Sequence, residues 1–138
     1  MEKLYLSWKD IEDAIENLAY QIKNSDESIE AVTGLPRGGL IPAVLLSHKL
    51  GVPYISMSDD DSEQYDSILI VDDICDTGET LKEYHQFFTT ATIHHKQSAM
   101  VKPDFYYSLA SQDKWIVYPW ENKDSQTIQD YKDATEGK

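Results

Sequence analysis

Basic residues are scarce in this 138-residue chain: 12 lysines and arginines stand against 25 aspartates and glutamates, a formal net charge of −13. No basic stripe is available to release counterions from a phosphate backbone, which argues against nucleic acid as a general partner. Arginine occurs once, at Arg37, and residues 51–81 hold neither lysine nor arginine. Cysteine also occurs once, at Cys75, so an internal disulfide is excluded. No apolar run approaches membrane-spanning length and no signal-like stretch follows Met1, so the expectation is a soluble, cytoplasmic chain with no membrane partner. His48, His85, His94 and His95 lack metal-ligand spacing, and the last two, if on a strand, would point to opposite faces. Repeats and low-complexity linkers are absent as well, and the length suits one domain with one substantial core.

What the chain does have is concentrated in residues 68–80, ILIVDDICDTGET. Ile68, Leu69, Ile70 and Val71 are too few and too β-branched for a helix and show no polar alternation, so they read as a strand buried on both faces of a parallel sheet. Asp72 and Asp73 then fall at its carboxyl end, where open α/β sheets bind ligands. Beyond Asp76, Thr77, Gly78, Glu79 and Thr80, the spacing of Leu81, Tyr84, Phe87 and Phe88 is that of an amphipathic helix. A turn at a helix N-terminus offers backbone N–H groups, the positive end of the helix dipole and two threonine hydroxyls, which together favour a phosphate. Carboxylates beside a phosphate would repel it unless they bind sugar hydroxyls or a magnesium ion. The alternative is that Asp76 or Thr77 merely caps the helix.

A second loop agrees with the phosphate reading. Residues 29–33 read as another strand, and Gly34-Leu35-Pro36-Arg37-Gly38-Gly39 joins it to an apolar helix that starts near Leu40, with Pro42 in its first turn, and runs to about Leu50. Two glycines beside the lone arginine suit close backbone approach to an anion and fork-like contact with phosphate oxygens; a solvated loop arginine is the alternative.

Elsewhere, Ser7 with Asp10 three residues on predicts a capped helix whose inner face carries Trp8, Ile11, Ile15, Leu18, Ala19 and Ile22. Tyr54-Ile55-Ser56 reads as a strand, and residues 57–67 form a short acidic segment. Asp59, Asp60 and Asp61 there are a surface turn or a cation contact; the EF-hand spacing is missing. Residues 92–101 contain a strand-like run. Cys75 has no local base and reads as a small packed residue rather than a nucleophile. Residues 122–138 form an acidic, exposed tail, with a short helix expected at residues 126–131, leaving residues 1–121 as the domain.

The segment at residues 68–80 resembles the phosphoribosyl pyrophosphate motif of type I phosphoribosyltransferases, and the Arg-Gly-Gly loop resembles that family's pyrophosphate loop. With Tyr5-Leu6-Ser7-Trp8 at one end and VKP and WIVYPWE at the other, the chain is similar to the xanthine-guanine phosphoribosyltransferases in particular, over about 115 residues. The resemblance implies an α/β fold in which helices flank a parallel sheet and a small C-terminal aromatic hood covers it. It implies a homo-oligomer, dimer or tetramer, that takes phosphoribosyl pyrophosphate and a purine base, with magnesium as cofactor.

The resemblance also implies residue roles. Pro36, Arg37, Gly38 and Gly39 would meet the pyrophosphate, with the Pro36–Arg37 peptide cis. Asp72 and Asp73 would face the ribose hydroxyls and the metal, and Thr77, Gly78, Glu79 and Thr80 would cradle the 5-phosphate. Asp76 would accept a purine proton, giving a catalytic set of Asp76, Asp73 and Arg37. Lys102 would meet the 6-oxygen of the base, Trp115 would stack on it with Tyr118 as the other candidate, and the backbone at Ile116 would meet its 2-substituent; Trp120 reads as core.

The family carries a long basic loop where this chain has residues 57–67. Two functions therefore lead: transfer to guanine, xanthine or hypoxanthine, or a catalytically weak nucleotide-binding or regulatory protein that keeps the pocket; a nucleoside-processing enzyme using the same site in reverse is the third.

Overall fold

A computed structural model describes residues 2–57 and 60–122. Four strands, β2 (Ala31–Gly34), β3 (Ile68–Cys75), β4 (Thr89–His95) and β5 (Phe105–Leu109), form a wholly parallel sheet in the order β2-β3-β4-β5. The apolar run at 68–71 is the buried heart of β3, as its lack of alternation predicts, but the strand does not end at Val71. It continues through both aspartates to Cys75, because β4 goes on pairing with it: Asp72 lies opposite Thr92 and Cys75 opposite His95.

Helix α1 (Trp8–Lys23) starts at the expected box, with the Ser7 hydroxyl accepting from Asp10 N–H and the Asp10 carboxylate accepting from Ser7 N–H. Its buried face is Ile11, Ala14, Ile15, Leu18, Ala19 and Ile22. Trp8, expected on that face, is 52% exposed at the first turn and leans on Trp120 instead. Helix α2 (Leu40–Leu50) follows the glycine loop where the sequence places it. Both helices cover one face of the sheet, packing Ile15, Leu18 and Leu46 against Val32, Leu69, Val71 and Ile93. Ala31, Ile68 and Ile70 point the other way and meet Leu81 of α3 (Glu79–His85). Burying both faces explains the apolar strand sequences.

Other elements differ from the sequence reading as well: the strand expected at residues 29–33 is β2 at Ala31–Gly34, and the run expected from Thr92 is β4 at Thr89–His95. Helix α3 stops at His85, and Phe87, expected on its inner face, is 77% exposed. Residues 54–56 make a single parallel bridge to Val32, with Val32 N–H donating to Pro53 O and Ile55 N–H to Val32 O, rather than a strand. The hood is not carboxyl-terminal alone: β6 (Lys114–Val117) pairs in parallel with β1 (Glu2–Tyr5), an N-terminal strand the sequence did not announce.

A 3-10 helix, Asp60–Gln64, occupies part of the acidic segment. The side chains of Asp59, Asp60 and Asp61 and the helix expected at residues 126–131 lie outside the described residues. No helix among the described residues is long and apolar enough to cross a membrane.

The bridge at Tyr54 places the chain outside β2 before it returns to β3 on the opposite side. The connections therefore diverge between β2 and β3, and the carboxyl ends of those strands frame the crevice where such sheets bind ligands.

Candidate active site

Two loops and two strand ends meet at that crevice. After β2, Leu35 N–H still donates to Val71 O at 2.9 Å, and the chain then turns through the Pro36–Arg37 peptide, which is cis as expected. Gly39 N–H closes the turn on Leu35 O at 2.9 Å. Gly38 lies directly against the Asp73 carboxylate: a Cβ there would stand 2.8 Å from Asp73 Cγ, closer than carbon atoms pack. The second residue of the Arg-Gly-Gly motif is thus glycine because an acid side chain occupies the space. Arg37 stands exposed on the same turn.

The two strand acids are held by backbone amides. Asp72 Oδ1 accepts from Asp73 N–H at 2.9 Å and Asp73 Oδ1 from Ile74 N–H at 2.8 Å. These bonds fix the carboxylates half-buried at the edge of the crevice and offset part of their mutual repulsion.

The Thr/Gly loop follows. Gly78 adopts φ 88°, the left-handed region that suits glycine, and serves as N-cap of α3 with no side-chain cap. The capping alternative holds in part: the N-cap position is Gly78, but the Thr77 hydroxyl accepts from Glu79 N–H, the first amide of α3, at 3.2 Å. The loop is braced by the segment after β4, as Lys96 N–H donates to Cys75 O and Met100 N–H to Thr77 O at 2.8 Å. Gly78, Glu79 and Thr80 thus sit at the start of α3, which follows the carboxyl end of β3.

Asp76 reveals a residue the sequence reading missed. Its Oδ1 lies 3.0 Å from Lys96 Nζ, a half-buried ion pair at the ends of β3 and β4. Lys102, the lysine the resemblance pointed to, is exposed and places its ammonium 5.7 Å from the centre of the Tyr106 ring. The available signal was topological: Lys96 immediately follows the buried run of β4, so it must emerge at the carboxyl edge beside the acid that follows β3.

In the hood, Trp115 and Ile116 are half-buried on β6, opposite Lys3 and Leu4. Tyr118 is not available to stack on a base, being 3% exposed, with its ring 5.0 Å from Trp120 at 5° and its hydroxyl bonded inward. Trp120 packs on the main core, as expected, against Tyr118 and Trp8. Cys75 is buried, donates to Val101 O at 3.4 Å, and its thiol is pushed up to about 11 by burial, with Asp72 and Asp76 adding to the effect. It is a packed residue and not a nucleophile.

No protein-family model matches the chain. Among solved structures, a purine phosphoribosyltransferase from Pyrococcus horikoshii is 31% identical, with 94% of this chain and 99% of that one covered and a TM-score of 0.72. The chain belongs to the purine phosphoribosyltransferase family. Curated relatives agree: a xanthine-guanine phosphoribosyltransferase of Idiomarina loihiensis is 28% identical, covering 86% of this chain and 87% of that protein. One of Cereibacter sphaeroides is likewise 28% identical, over 85% and 86%. A xanthine-guanine-hypoxanthine phosphoribosyltransferase of Helicobacter pylori, 24% identical with a TM-score of 0.72, shares the fold. As a purine phosphoribosyltransferase, the chain is an enzyme of the transferase class.

Proposed function

We propose that this enzyme transfers the phosphoribosyl group of phosphoribosyl pyrophosphate to a 6-oxopurine (guanine, xanthine or hypoxanthine), releasing pyrophosphate. The observation that carries this reading is the Asp76–Lys96 pair at 3.0 Å, beside the phosphate loop and one turn of chain from Asp73. A phosphate-only site has no use for a carboxylate and an ammonium held together at its rim. A 6-oxopurine does, since its ring N–H and carbonyl oxygen present a donor and an acceptor side by side. In this reading Asp76 accepts or orients the purine proton and Lys96 donates to the 6-oxygen, the role the sequence had given to Lys102. Trp115 supplies a flat face and Ile116 a backbone contact at the 2-position. The xanthine-guanine names of the curated relatives support the substrate class.

The rest of the crevice serves the sugar diphosphate. Gly38 and Gly39 let backbone approach the pyrophosphate, Arg37 matches its oxygens with a rigid fork, and the amides and hydroxyls from Thr77 to Thr80 take the 5-phosphate. Pro36 sets the turn. Asp72 and Asp73 fit magnesium by their chemistry: they are hard carboxylate donors, and no group of three or more metal-binding side chains exists among the described residues. That is the donor set of an ion that keeps waters and shares phosphate oxygens, not of an all-protein cage. Bound there, magnesium would neutralise charge on the departing diphosphate. The chain's own residues hold the ribose hydroxyls, align the base against the sugar carbon and stabilise an oxocarbenium-like sugar by positioning and charge.

The sequence left open a pocket without turnover. Retention of the Asp76–Lys96 pair favours the enzyme, because a regulatory phosphate sensor needs no proton acceptor at the base. Pyrophosphate release with phosphoribosyl pyrophosphate, magnesium and, in turn, guanine, xanthine, hypoxanthine, adenine, uracil and orotate tests the reading. Turnover confined to 6-oxopurines is expected. Tight binding of the sugar diphosphate with no turnover on any base would overturn it.

A further inference from the structure

Tyr118 reaches from the hood into the carboxyl edge of the sheet. Strand β2 ends at Gly34, and the last bond it passes to β3 is Leu35 N–H to Val71 O. Two residues further along β3 the ladder on that side has run out, and there the Tyr118 hydroxyl donates to Asp73 O at 3.2 Å. The same hydroxyl lies 2.8 Å from His94 Nδ1 on β4. A phenol has one proton. With that proton on the Asp73 carbonyl, the imidazole must donate, so the chain of bonds runs from His94 Nδ1–H to the Tyr118 oxygen and from Tyr118 O–H to Asp73 O.

Tyr118 is itself over-determined. Its N–H donates to Glu121 Oε1 at 2.9 Å, its carbonyl accepts from Glu121 N–H at 2.9 Å, and its ring is stacked on Trp120. Both tyrosine and histidine are buried. The hydroxyl therefore joins three elements that are distant in sequence: β3 at its acids, β4 and the hood, where Trp115 and Ile116 stand three and two residues before it.

We propose that Tyr118, oriented by His94, is a positioning residue for Asp73: it fixes the peptide that carries this carboxylate and links the base-covering hood to the sugar-diphosphate site. The inference rests on the function proposed above. The same peptide unit holds Asp73 O and Ile74 N–H, and that N–H anchors the Asp73 carboxylate. Tilting the peptide moves acceptor and anchor together, so an error at the hydroxyl is delivered to the carboxylate.

Tyr118→Phe keeps the ring, its stack and both bonds to Glu121 and deletes the hydroxyl alone. In steady-state assays the KM for phosphoribosyl pyrophosphate at saturating magnesium should rise about 5- to 10-fold, the ratio expected for one buried hydrogen bond, while the KM for the base stays within about twofold. His94→Leu should give a shift in the same direction, and His94→Asn, whose amide can donate from the Nδ1 position, should restore most of it. In ligand-free protein the Ile74 amide nitrogen resonance should move in Tyr118→Phe and stay in place in Ser7→Ala, whose bonds lie within the first turn of α1. A purely structural role predicts lower thermal stability with both KM values unchanged or raised together; that result, or an unmoved Ile74 resonance, would overturn the proposal. Failure of the unaltered enzyme to bind the sugar diphosphate would instead sink the proposed function, and the Ile74 resonance would still decide the strut.

Discussion

Gly38→Ala tests whether the Arg-Gly-Gly loop and the strand acids form one site. The added Cβ would stand 2.8 Å from Asp73 Cγ, whereas carbon atoms pack at about 3.5–4.0 Å. The carboxylate must withdraw by roughly 1 Å, or the loop must lift by as much. Asp73 Oδ1 is anchored by Ile74 N–H at 2.8 Å, so withdrawal stretches that bond beyond useful length. A hydrogen bond to a charged acceptor contributes about 1.5–3 kcal/mol, so magnesium-dependent affinity for phosphoribosyl pyrophosphate should fall by roughly 10- to 100-fold. Titration calorimetry at saturating magnesium reads this directly. Ser7→Ala is the control: it removes the α1 cap at a cost of about 1 kcal/mol in stability without touching the glycine loop or the bonds of Asp73, and should leave affinity unchanged.

Because the alanine acts through Asp73, its effect should vanish in an Asp73→Ala background, where magnesium-dependent binding is already lost. Unaltered affinity in folded Gly38→Ala, or an equal loss in Ser7→Ala, would refute the reasoning.

Lys96→Met should raise the KM for the base by about tenfold or more, as expected for a lost charged hydrogen bond, while Lys102→Met leaves it within about twofold; the reverse order would restore Lys102 to the base site. Cys75, with its thiol pushed up to about 11 and its side chain buried, should react with iodoacetamide at pH 7 only as fast as the protein opens, so rapid labelling of native protein would contradict the packed assignment. Burial holds His94 neutral, pushed down to about 4 from an ordinary 6.5, so the unfolded chain binds the extra proton between those values and stability is lost as pH falls from 6.5 towards 4. At pH 4.5 the loss is on the order of 2 kcal/mol, and urea denaturation at pH 7 and 4.5 should show a larger fall in the parent than in His94→Asn.

Much of the site was legible because its signals are local. The apolar run into Asp72 and Asp73, the glycines beside Arg37 and the Ser7/Asp10 box each state their geometry within a few residues. The structure places the last two at the predicted starts of α2 and α1, and the two acids on β3, though three and two residues short of its end at Cys75 rather than at that end. What was not legible depends on partners distant in sequence. Strand β1 is four exposed residues with no alternation, and it exists because β6 lies beside it. Strand β5, FYYSL, carries the alternation of an edge strand but sits among polar turns that hide it. Tyr118 looked like a stacking aromatic because nothing in WIVYPWE shows that its hydroxyl will find His94 and Asp73. Lys96 was passed over for the same reason. Its pairing with Asp76 follows from the parallel register that sets Cys75 opposite His95, which no local pattern encodes.

The charge of the chain poses the remaining question, since a protein at −13 must hold a substrate that is itself multiply anionic. Long-range attraction is not available, so the favourable field has to be made within a few ångströms of the ligand, where it is least screened. The crevice is arranged for that. Asp72 and Asp73 turn one oxygen each to backbone amides, and the carboxylate of Asp76 is set against the Lys96 ammonium. The three acids thus present much less net negative potential than their number suggests. In the proposed function the positive side would be assembled from one guanidinium, the amides at the start of α3 and a magnesium ion arriving with the diphosphate. A site of this kind gains little from a basic surface or a basic lid for capture, and its dependence falls on the parts that hold the acids in place. Gly38, Tyr118 and the peptide at Asp73 are those parts, which is why substitutions that remove no charge at all are the ones expected to weaken binding of the sugar diphosphate.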